Sequence, residues 1–316
     1  MLSEKPKKSE DLWHIVKPLI RQIESSEGVL IIDDSISEKP STDENDIICW
    51  HYDHCKGVRV KGINFMTALY YVHNIALPVS FQLIAKTEYY TDPKDGKTKR
   101  RCPVPKNQYC REMIKQAAIN QAAFRYVLTD VWFASAENMM FIKHEVKKDF
   151  VMPVRTNRKI ALSRDNKKQG RYVRAGKADF RTDTRVEIFP EDVYFPMLFI
   201  RQVFADKDGS TGIPHLVTSD TGMTYEQITT SYRKRRNVEC YHKSLKQNVS
   251  SEKSPTQTVT TQTNHFFASL CGYVKLEMLQ ISNKLNHFAL KAKIYINALQ
   301  SAFAELQKLQ PLKLCA

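Results

Sequence analysis

Three acidic side chains stand at positions where the chain could gather them around divalent metal ions. Asp34 follows the apolar run VLII, Asp130 follows the segment FRYVLT, and Glu239 lies in a helical segment. Buried strands that end in acidic residues deliver carboxylates to the edge of a sheet. Three carboxylates can hold two divalent cations, one activating a water or a 3′-hydroxyl and the other stabilising the leaving oxygen. The pattern therefore predicts phosphodiester chemistry.

The first of these acids is one of a doublet, Asp33 and Asp34. Adjacent residues of a strand point to opposite faces, so only one of the two can face a metal site. A shift of one residue exchanges them, and the pattern of residues leaves the choice open.

The helical segment from Thr224 to Gln247 carries polar residues on a single stripe. Arg235, Glu239 and Lys246 lie three, seven and fourteen residues beyond Tyr232. At about 100° per residue these offsets fall within an arc of roughly 60°. Lys243 falls on the same stripe. A stripe with both charge signs is also typical of a solvated helix face with i,i+4 pairs, so the stripe alone does not establish a site.

The charge balance favours a polyanionic partner. Lys and Arg exceed Asp and Glu by 14 in a chain of 316 residues, and such an excess attracts nucleic acid through counterion release. Residues 155–177 concentrate positive charge, with Asp165 as their only acid. We expect Arg155 and Arg158 in this segment to contact the DNA backbone without sequence choice, the alternative being a solvated surface.

The elements needed to position these residues follow in the order of an α/β core. After the first strand, Gly62 to His73 and Ala76 to Ala85 predict a hairpin. The spacing of apolar residues predicts helices at Asn107–Gln121, Ala136–Lys147 and Thr224–Gln247. It also predicts strands at Phe150–Val154 and around Val186–Phe189, Met197–Phe204 and His215–Ser219. A polar linker at Ser250–Thr263 and final helices at His265–Ile281 and His287–Leu309 complete the chain.

These elements divide the chain into five parts. We predict an N-terminal helical remnant (1–28), the first part of the core (29–155), a β-rich insertion with basic loops (156–220), the Glu-bearing helix of the core (221–250) and a C-terminal helical region (251–316). No run approaches 18 uninterrupted apolar residues, and the N-terminus is charged from Glu4 onward. We therefore expect no membrane span and a cytoplasmic protein. The seven scattered cysteines, with no Cys-x-x-Cys pair, fit a reducing compartment.

The stripe resembles a known family signature. Its pattern Tyr-x2-Arg-x3-Glu-x6-Lys is that of the DDE transposases of the IS-four insertion-sequence family. The segment IIDDS resembles the first acidic motif of this family, and VLTDVWF resembles the second, in which an aromatic, here Phe133, stands three residues after the Asp. Asp34 aligns better than Asp33 with the first motif, so we predict Asp34 as the ligand.

This resemblance implies a ribonuclease-H-like catalytic core with a β-rich insertion and C-terminal helices. Asp34, Asp130 and Glu239 would ligate Mg²⁺, with Mn²⁺ as a substitute, and carry out hydrolysis at the ends of a mobile element followed by strand transfer into target DNA. The residues expected to contact double-stranded DNA are Tyr232, Arg235, Lys243, Lys246, Arg155 and Arg158. The resemblance also implies a homodimer on DNA in the bacterial nucleoid.

The chain departs from the family pattern in two places. Arg236 occupies a position that is commonly aromatic, and about 28 residues precede the first strand where the family usually has a further helical DNA-binding segment. We therefore expect an N-terminally truncated member. The alternatives are a catalytically inactive DNA-binding remnant of a transposase and a ribonuclease-H-like nuclease without strand transfer.

Two other constellations are weaker. Cys49, His51, His54 and Cys55 are spaced too tightly for a common structural zinc site, and no second knuckle lies at a suitable distance. Cys240 and His242 diverge by about 200° on a helix, which argues against a nucleophilic pair. Trp132, beside Asp130, is expected in the core.

Overall fold

The computed structural model describes residues 2–54, 56–202, 204–205, 211–212 and 214–308. Its helices are α1 (Ser9–Ile23), α2 (Lys106–Ile119), α3 (Ala136–Met140), α4 (Arg164–Lys168), α5 (Tyr225–Arg233), α6 (Asn237–Gln247), α7 (Val259–Asn283) and α8 (His287–Lys308). Shorter turns are a π-helical turn at Phe141–Glu145 and 3₁₀ turns at Ala175–Lys177 and Lys234–Arg236.

The strands are β1 (Val29–Glu38), β2 (Ile48–Asp53), β3 (Val58–Val72), β4 (Ile75–Leu83), β5 (Glu88–Thr91), β6 (Thr98–Arg101), β7 (Tyr126–Leu128), β8 (Asp149–Val154), β9 (Lys159–Ala161), β10 (Val173–Arg174), β11 (Arg185–Pro190), β12 (Met197–Arg201), β13 (Phe204–Ala205), β14 (Thr211–Gly212) and β15 (His215–Thr218). Eleven of them form one mixed sheet in the order β10-β9-β11-β12-β15-β8-β7-β1-β3-β2, with β4 also paired to β3. The predicted α/β class is confirmed.

Strand β1 is an interior strand of this sheet, between β7 and β3. It runs antiparallel to β3 and parallel to β7, and β7 runs parallel to β8. The side chains of Val29 to Ile32 are fully buried. A short, uninterrupted apolar run is typical of a strand covered on both faces. Helices α1 and α7 pack near β4, and α6 packs near β1.

The predicted hairpin after the first strand is confirmed. Strands β3 and β4 pair from Phe65↔Leu83 to Val72↔Ile75. The two turn residues, His73 and Asn74, have φ angles of 49° and 63°. Positive φ at both central positions is the conformation that two-residue hairpin turns favour, and Asn adopts it at low cost.

Most strands of residues 156–220 continue the central sheet, whereas β13 and β14 pair only with each other among the described strands. β15 pairs antiparallel with β8, with Val217 opposite Met152, and β12 pairs with β15. The β content predicted for this segment is therefore present, and its strands share the core of β8. The boundaries of the predicted domains stay a prediction.

The prediction of a single helix from Thr224 to Gln247 is wrong in one respect. The segment is divided into α5 and α6 by the 3₁₀ turn at Lys234–Arg236. The Asn237 side chain donates a hydrogen bond of 2.7 Å to the Lys234 carbonyl, which a continuous α-helix would use for a backbone bond. Asn side chains compete with helical hydrogen bonds in this way. The turn tightens the helix just before Glu239.

The predicted linker is also too long at its C-terminal end. Thr258 caps α7 by accepting a hydrogen bond of 3.2 Å from the Thr261 backbone, so residues 259–263 are helical. The predicted last residue of the final helix, Leu309, lies outside the described residues. Of the helices in the described part of the chain, none combines the length and apolar character that a membrane crossing requires.

A buried polar network fixes the start of α8. His287 Nδ1 lies 2.8 Å from Ser244 Oγ of α6, and His287 Nε2 lies 2.7 Å from Glu277 Oε2 of α7. The other Glu277 oxygen accepts a hydrogen bond of 2.6 Å from the Ala76 backbone at the start of β4. Ser244, Glu277 and His287 are all buried. One carboxylate thus joins α7, α8 and the sheet.

We predict that Glu277→Ala lowers the free energy of unfolding by about 3 kcal/mol, because His287 and the Ala76 N–H each lose a buried partner. Urea unfolding followed by circular dichroism measures the change. The control is Glu305→Ala, which removes an exposed carboxylate paired with Lys308 and should change stability by less than about 0.5 kcal/mol. Equal effects of the two substitutions would contradict a structural role for the network.

Candidate active site

Three aspartates lie where the parallel pairing of β1 with β7 ends, a region that we call the aspartate edge. Asp130 follows the carboxyl end of β7, whereas Asp33 and Asp34 lie in the middle of β1, which continues to Glu38 instead of ending at the doublet as predicted. Ile31 pairs with Leu128, so Asp33 and Asp130 stand two residues beyond neighbouring positions. Burial raises the pKa of Asp33 to about 7, against the attraction of Arg235, and the charges of Asp130 and Asp34 raise it further. Carboxylates that perturb each other in this way lie close together.

Asp33 is the inward member of the doublet. Its side chain is buried, and its Oδ1 lies 3.1 Å from Arg235 Nη2. His242 Nδ1 of α6 lies 3.9 Å from the other oxygen. Burial lowers the pKa of His242 to about 3, and the positive charge of Lys246 adds to this effect. Asp33 is therefore held by the helical segment that carries Glu239.

Asp34 points away from Asp33, as strand geometry requires. It is partly exposed and accepts a hydrogen bond of 3.0 Å from Asn64 Nδ2 of β3. Its Oδ2 also lies 2.6 Å from Lys106 Nζ, at the first residue of α2. Two elements other than the Glu-bearing segment therefore orient Asp34.

Asp130 is held by the loop that follows β7. Its Oδ1 accepts hydrogen bonds from the backbones of Trp132, at 2.9 Å, and Phe133, at 3.4 Å. Burial raises the pKa of Asp130; Arg235 opposes this change and Asp34 adds to it. The loop therefore holds a carboxylate whose charge is poorly compensated.

Arg235 connects the helical stripe to the aspartates. Besides Asp33, it approaches Glu239, with Nη1 and Oε1 3.5 Å apart. Tyr232 lies near the same charges, and burial raises its pKa to about 12. The Glu239 side chain is 66% exposed. The structure thus brings Tyr232, Arg235 and Glu239 to the aspartate edge, with Glu239 at the solvent side.

Lys246 lies farther along β1. Its Nζ donates to the Ile36 carbonyl at 2.7 Å and lies 3.3 Å from Glu252 Oε1. These contacts tie the end of α6 to β1. Lys243 is exposed, with its Nζ 5.2 Å from the centre of the Phe288 ring on α8. Only part of the predicted stripe therefore lies at the aspartate edge, whereas Lys246 contacts β1 and Lys243 contacts α8.

The two arginines predicted from the basic segment differ in environment. Arg155 is exposed and its guanidinium carbon lies 4.7 Å from the centre of the Trp132 ring. Arg158 is 14% exposed and is engaged by the Ala134 carbonyl and by Asp192, each at 2.9 Å. Arg158 supports the loop after Asp130, whereas Arg155 presents its charge to solvent.

Several neighbours were missed or misjudged in the sequence. Trp132 is 49% exposed instead of lying in the core, and its ring packs 4.5 Å from that of His54. Lys106 and Asn64 carry no pattern that connects them with Asp34. His242 could have been found, because it stands one heptad after Arg235 and so projects from nearly the same helix face.

The weaker constellations form no site in the described residues. Cys49 Sγ lies 3.3 Å from His51 Nε2, and burial lowers the pKa of His51 to about 3. Cys55, the fourth member of that cluster, lies outside the described residues. Cys240 is exposed whereas His242 is enclosed, so the two do not act together.

The aspartate edge fits divalent cations by its chemistry. Carboxylate oxygens are the ligands that Mg²⁺ prefers, and the poorly compensated charge of Asp33 and Asp130 is the field that a cation would neutralise. Within the described ranges, no group of three or more His, Cys, Asp or Glu side chains is already close enough to ligate a metal. Glu239 is exposed and free of tight packing, so its side chain can move toward the aspartates.

We predict that Mg²⁺ stabilises the protein against heat and that Asp130→Asn abolishes this effect. An ion at about 100 times its Kd contributes about 2.7 kcal/mol. Without the ion, the variant should be at least as stable as the unaltered protein, since Asn can accept the same backbone hydrogen bonds without the charge. Differential scanning calorimetry tests both points. Asp165→Asn, at an exposed position of α4, should keep the Mg²⁺ effect; its loss there would show that the ion acts elsewhere.

Comparison with protein families gives two matches. Residues 8–186 match the model described as DDE superfamily endonuclease, and residues 102–275 match the model described as Transposase DDE domain. Each covers more than half of the chain; the first includes Asp33, Asp34 and Asp130, and the second includes Asp130 and Glu239. No curated protein matches the chain. The chain therefore belongs to the DDE superfamily of endonucleases and transposases, which act on DNA.

Proposed function

We propose that the protein is a DNA transposase of the IS-four family that cleaves DNA at the ends of a mobile element and joins the freed strand to target DNA. The observation that carries this proposal is the linkage of Glu239, through Arg235, to Asp33 on β1, whose pKa is raised in part by the charges of Asp130 and Asp34. The strand arrangement supports a ribonuclease-H-like core, because three antiparallel strands, β1, β3 and β4, adjoin two strands parallel to β1.

Asp34, Asp130 and Glu239 are the proposed metal ligands, with Mg²⁺ as the ion and Mn²⁺ as a substitute. The ions would activate the attacking water or 3′-hydroxyl and stabilise the leaving oxygen. Asp34 suits this role better than Asp33, because Asp33 is buried against Arg235 while Asp34 is partly exposed. The Lys106 contact to Asp34 is solvent-accessible and can yield to a cation.

Arg235 has a positioning role in this proposal. Its guanidinium compensates Asp33 and keeps the turn before Glu239 against β1. Tyr232 lies near the aspartates and Lys246 lies farther along β1, while Lys243 and Arg155 are exposed. Fixed cationic groups complement phosphate oxygens, bidentately for Arg. Arg158 is the least suited of the proposed DNA contacts, since its guanidinium is already engaged by Asp192.

The proposed substrate is double-stranded DNA, both at element ends and at the target, and the proposed location is the bacterial nucleoid. Two ends must be brought together for strand transfer, so we include a homodimer with one copy at each end. The net charge of +14 supports DNA association.

We predict that the protein nicks a supercoiled plasmid carrying element ends in Mg²⁺ or Mn²⁺, and that Glu239→Gln lowers the rate by two to three orders of magnitude. The matched control is Glu226→Gln in the first turn of α5, which should cut at the unaltered rate. Gel electrophoresis separates nicked, linear and joined products.

The products also separate the alternatives. Joined products support transposition, and cleavage without joining would favour a ribonuclease-H-like nuclease. Salt-sensitive DNA binding with no cleavage in either metal would overturn the catalytic proposal and favour an inactive DNA-binding remnant.

A second prediction distinguishes the two aspartates of the doublet. Asp34→Asn should keep near-normal stability while losing cleavage and stabilisation by Mg²⁺. Asp33→Asn should keep stabilisation by Mg²⁺ and change the free energy of unfolding by less than about 1 kcal/mol near pH 7, because the burial that raises the pKa of Asp33 to about 7 already offsets the attraction of Arg235. Urea unfolding combined with the plasmid assay measures both effects. Full Mg²⁺ binding by Asp34→Asn would transfer the ligand role to Asp33.

A further inference from the structure

Helix α8 carries an apolar stripe that is open to solvent. Its first turn is buried through His287 and Leu290, but every residue from Ala292 to Lys308 is exposed. We call the uncharged face the α8 stripe; it consists of Phe288, Ala289, Ala292, Tyr295, Ile296, Leu299, Ala302, Phe303 and Leu306. An extended exposed apolar surface of this kind marks an interaction site.

The spacing of the stripe defines the kind of partner that fits it. Its central residues are separated by alternate steps of three and four, the repeat by which one helix packs against another in a coiled coil: Ala289, Ala292, Ile296, Leu299, Phe303 and Leu306. Three further apolar residues, Phe288, Tyr295 and Ala302, widen this seam on one side. The partner surface is therefore another helix with the same repeat.

Charge does not oppose pairing along this face. All four charged side chains of α8, Lys291, Lys293, Glu305 and Lys308, lie off the stripe. Two copies of the stripe can therefore approach without burying a charge. A helix face free of charge across its whole length also differs from a solvated face, which would carry polar residues.

The order of side-chain sizes makes the stripe complementary to itself in one orientation. In an antiparallel pair, Phe303 of one copy faces Ala292 of the other, Leu306 faces Ala289, and Ile296 faces Leu299. In a parallel pair, Ala would face Ala at one end and Phe would face Phe at the other. Large against small side chains fills layers evenly, whereas facing alanines leave gaps.

We propose that α8 forms an antiparallel two-helix coiled coil with α8 of a second copy of this chain. The pairing names the surface that would join the two copies in the proposed function, and it needs neither DNA nor metal. Because His287 is anchored to Ser244 on the same helix as Glu239, the pair would also fix how the two candidate active sites face each other.

The test is the oligomeric state of the metal-free protein without DNA, measured by sedimentation equilibrium at micromolar concentration. We expect a dimer, and a monomer for Leu299→Glu, with Kd raised at least 100-fold because two carboxylates would be buried at the centre of the seam. Leu299 is 58% exposed in the single chain, so folding should be unchanged, as circular dichroism would show. The matched control is Ile294→Glu, 51% exposed but off the stripe, which should remain dimeric.

Size-swap variants test the orientation. Phe303→Ala and Ala292→Phe should each raise Kd about 10-fold or more, and the double variant should restore it, because the large and small members of each antiparallel layer are exchanged. Tighter association of Ala292→Phe alone would overturn the antiparallel arrangement. A monomeric unaltered protein at 100 µM, or a dimeric Leu299→Glu, would overturn the pairing altogether. Neither result would affect metal-dependent cleavage, so the proposed function is judged separately.

Discussion

The concentration of negative charge where β1 ceases to pair with β7 is the constraint around which the fold is arranged. Asp33, Asp34 and Asp130 are held near one another in a largely buried setting, and like charges in such a setting repel strongly. Arg235 and Lys106 offset part of this repulsion, each delivered by a different helical element. The helical segment is thus bound to the sheet by the same charges that form the candidate site.

The sequence predicted the elements whose signals are local. The apolar run before Asp34 predicted a buried central strand, and the two apolar runs around Asn74 predicted the hairpin, because burial and turn conformation depend on neighbouring residues. The spacing of Tyr232, Arg235 and Glu239 predicted that they share one helix face, and the structure agrees despite the 3₁₀ turn between α5 and α6.

The features that the sequence could not predict depend on contacts between residues that are far apart in the chain. The Asn237 side chain tightens the helix before Glu239. Arg235 pairs with Asp33 and Lys106 pairs with Asp34, which gives the two aspartates different environments. Trp132 is exposed because its ring contacts His54 and Arg155 instead of the core. The pairing of β15 with β8 is likewise non-local, since more than sixty residues separate the paired positions. No periodicity along the chain encodes such contacts.

The position of Arg235 in the chain has a consequence for folding during synthesis. Asp33 leaves the ribosome about two hundred residues before Arg235, the arginine that compensates it, and Asp130 leaves about a hundred residues before Arg235. Until that arginine arrives, the edge of the nascent sheet carries buried negative charge without its main counter-ion, and β8 lacks its partner β15. Domains fold as their segments emerge, and non-local strand pairs form slowly. The central sheet is therefore completed late, in the same interval in which Arg235 and Glu239 emerge, so a partly synthesised chain lacks part of the candidate site.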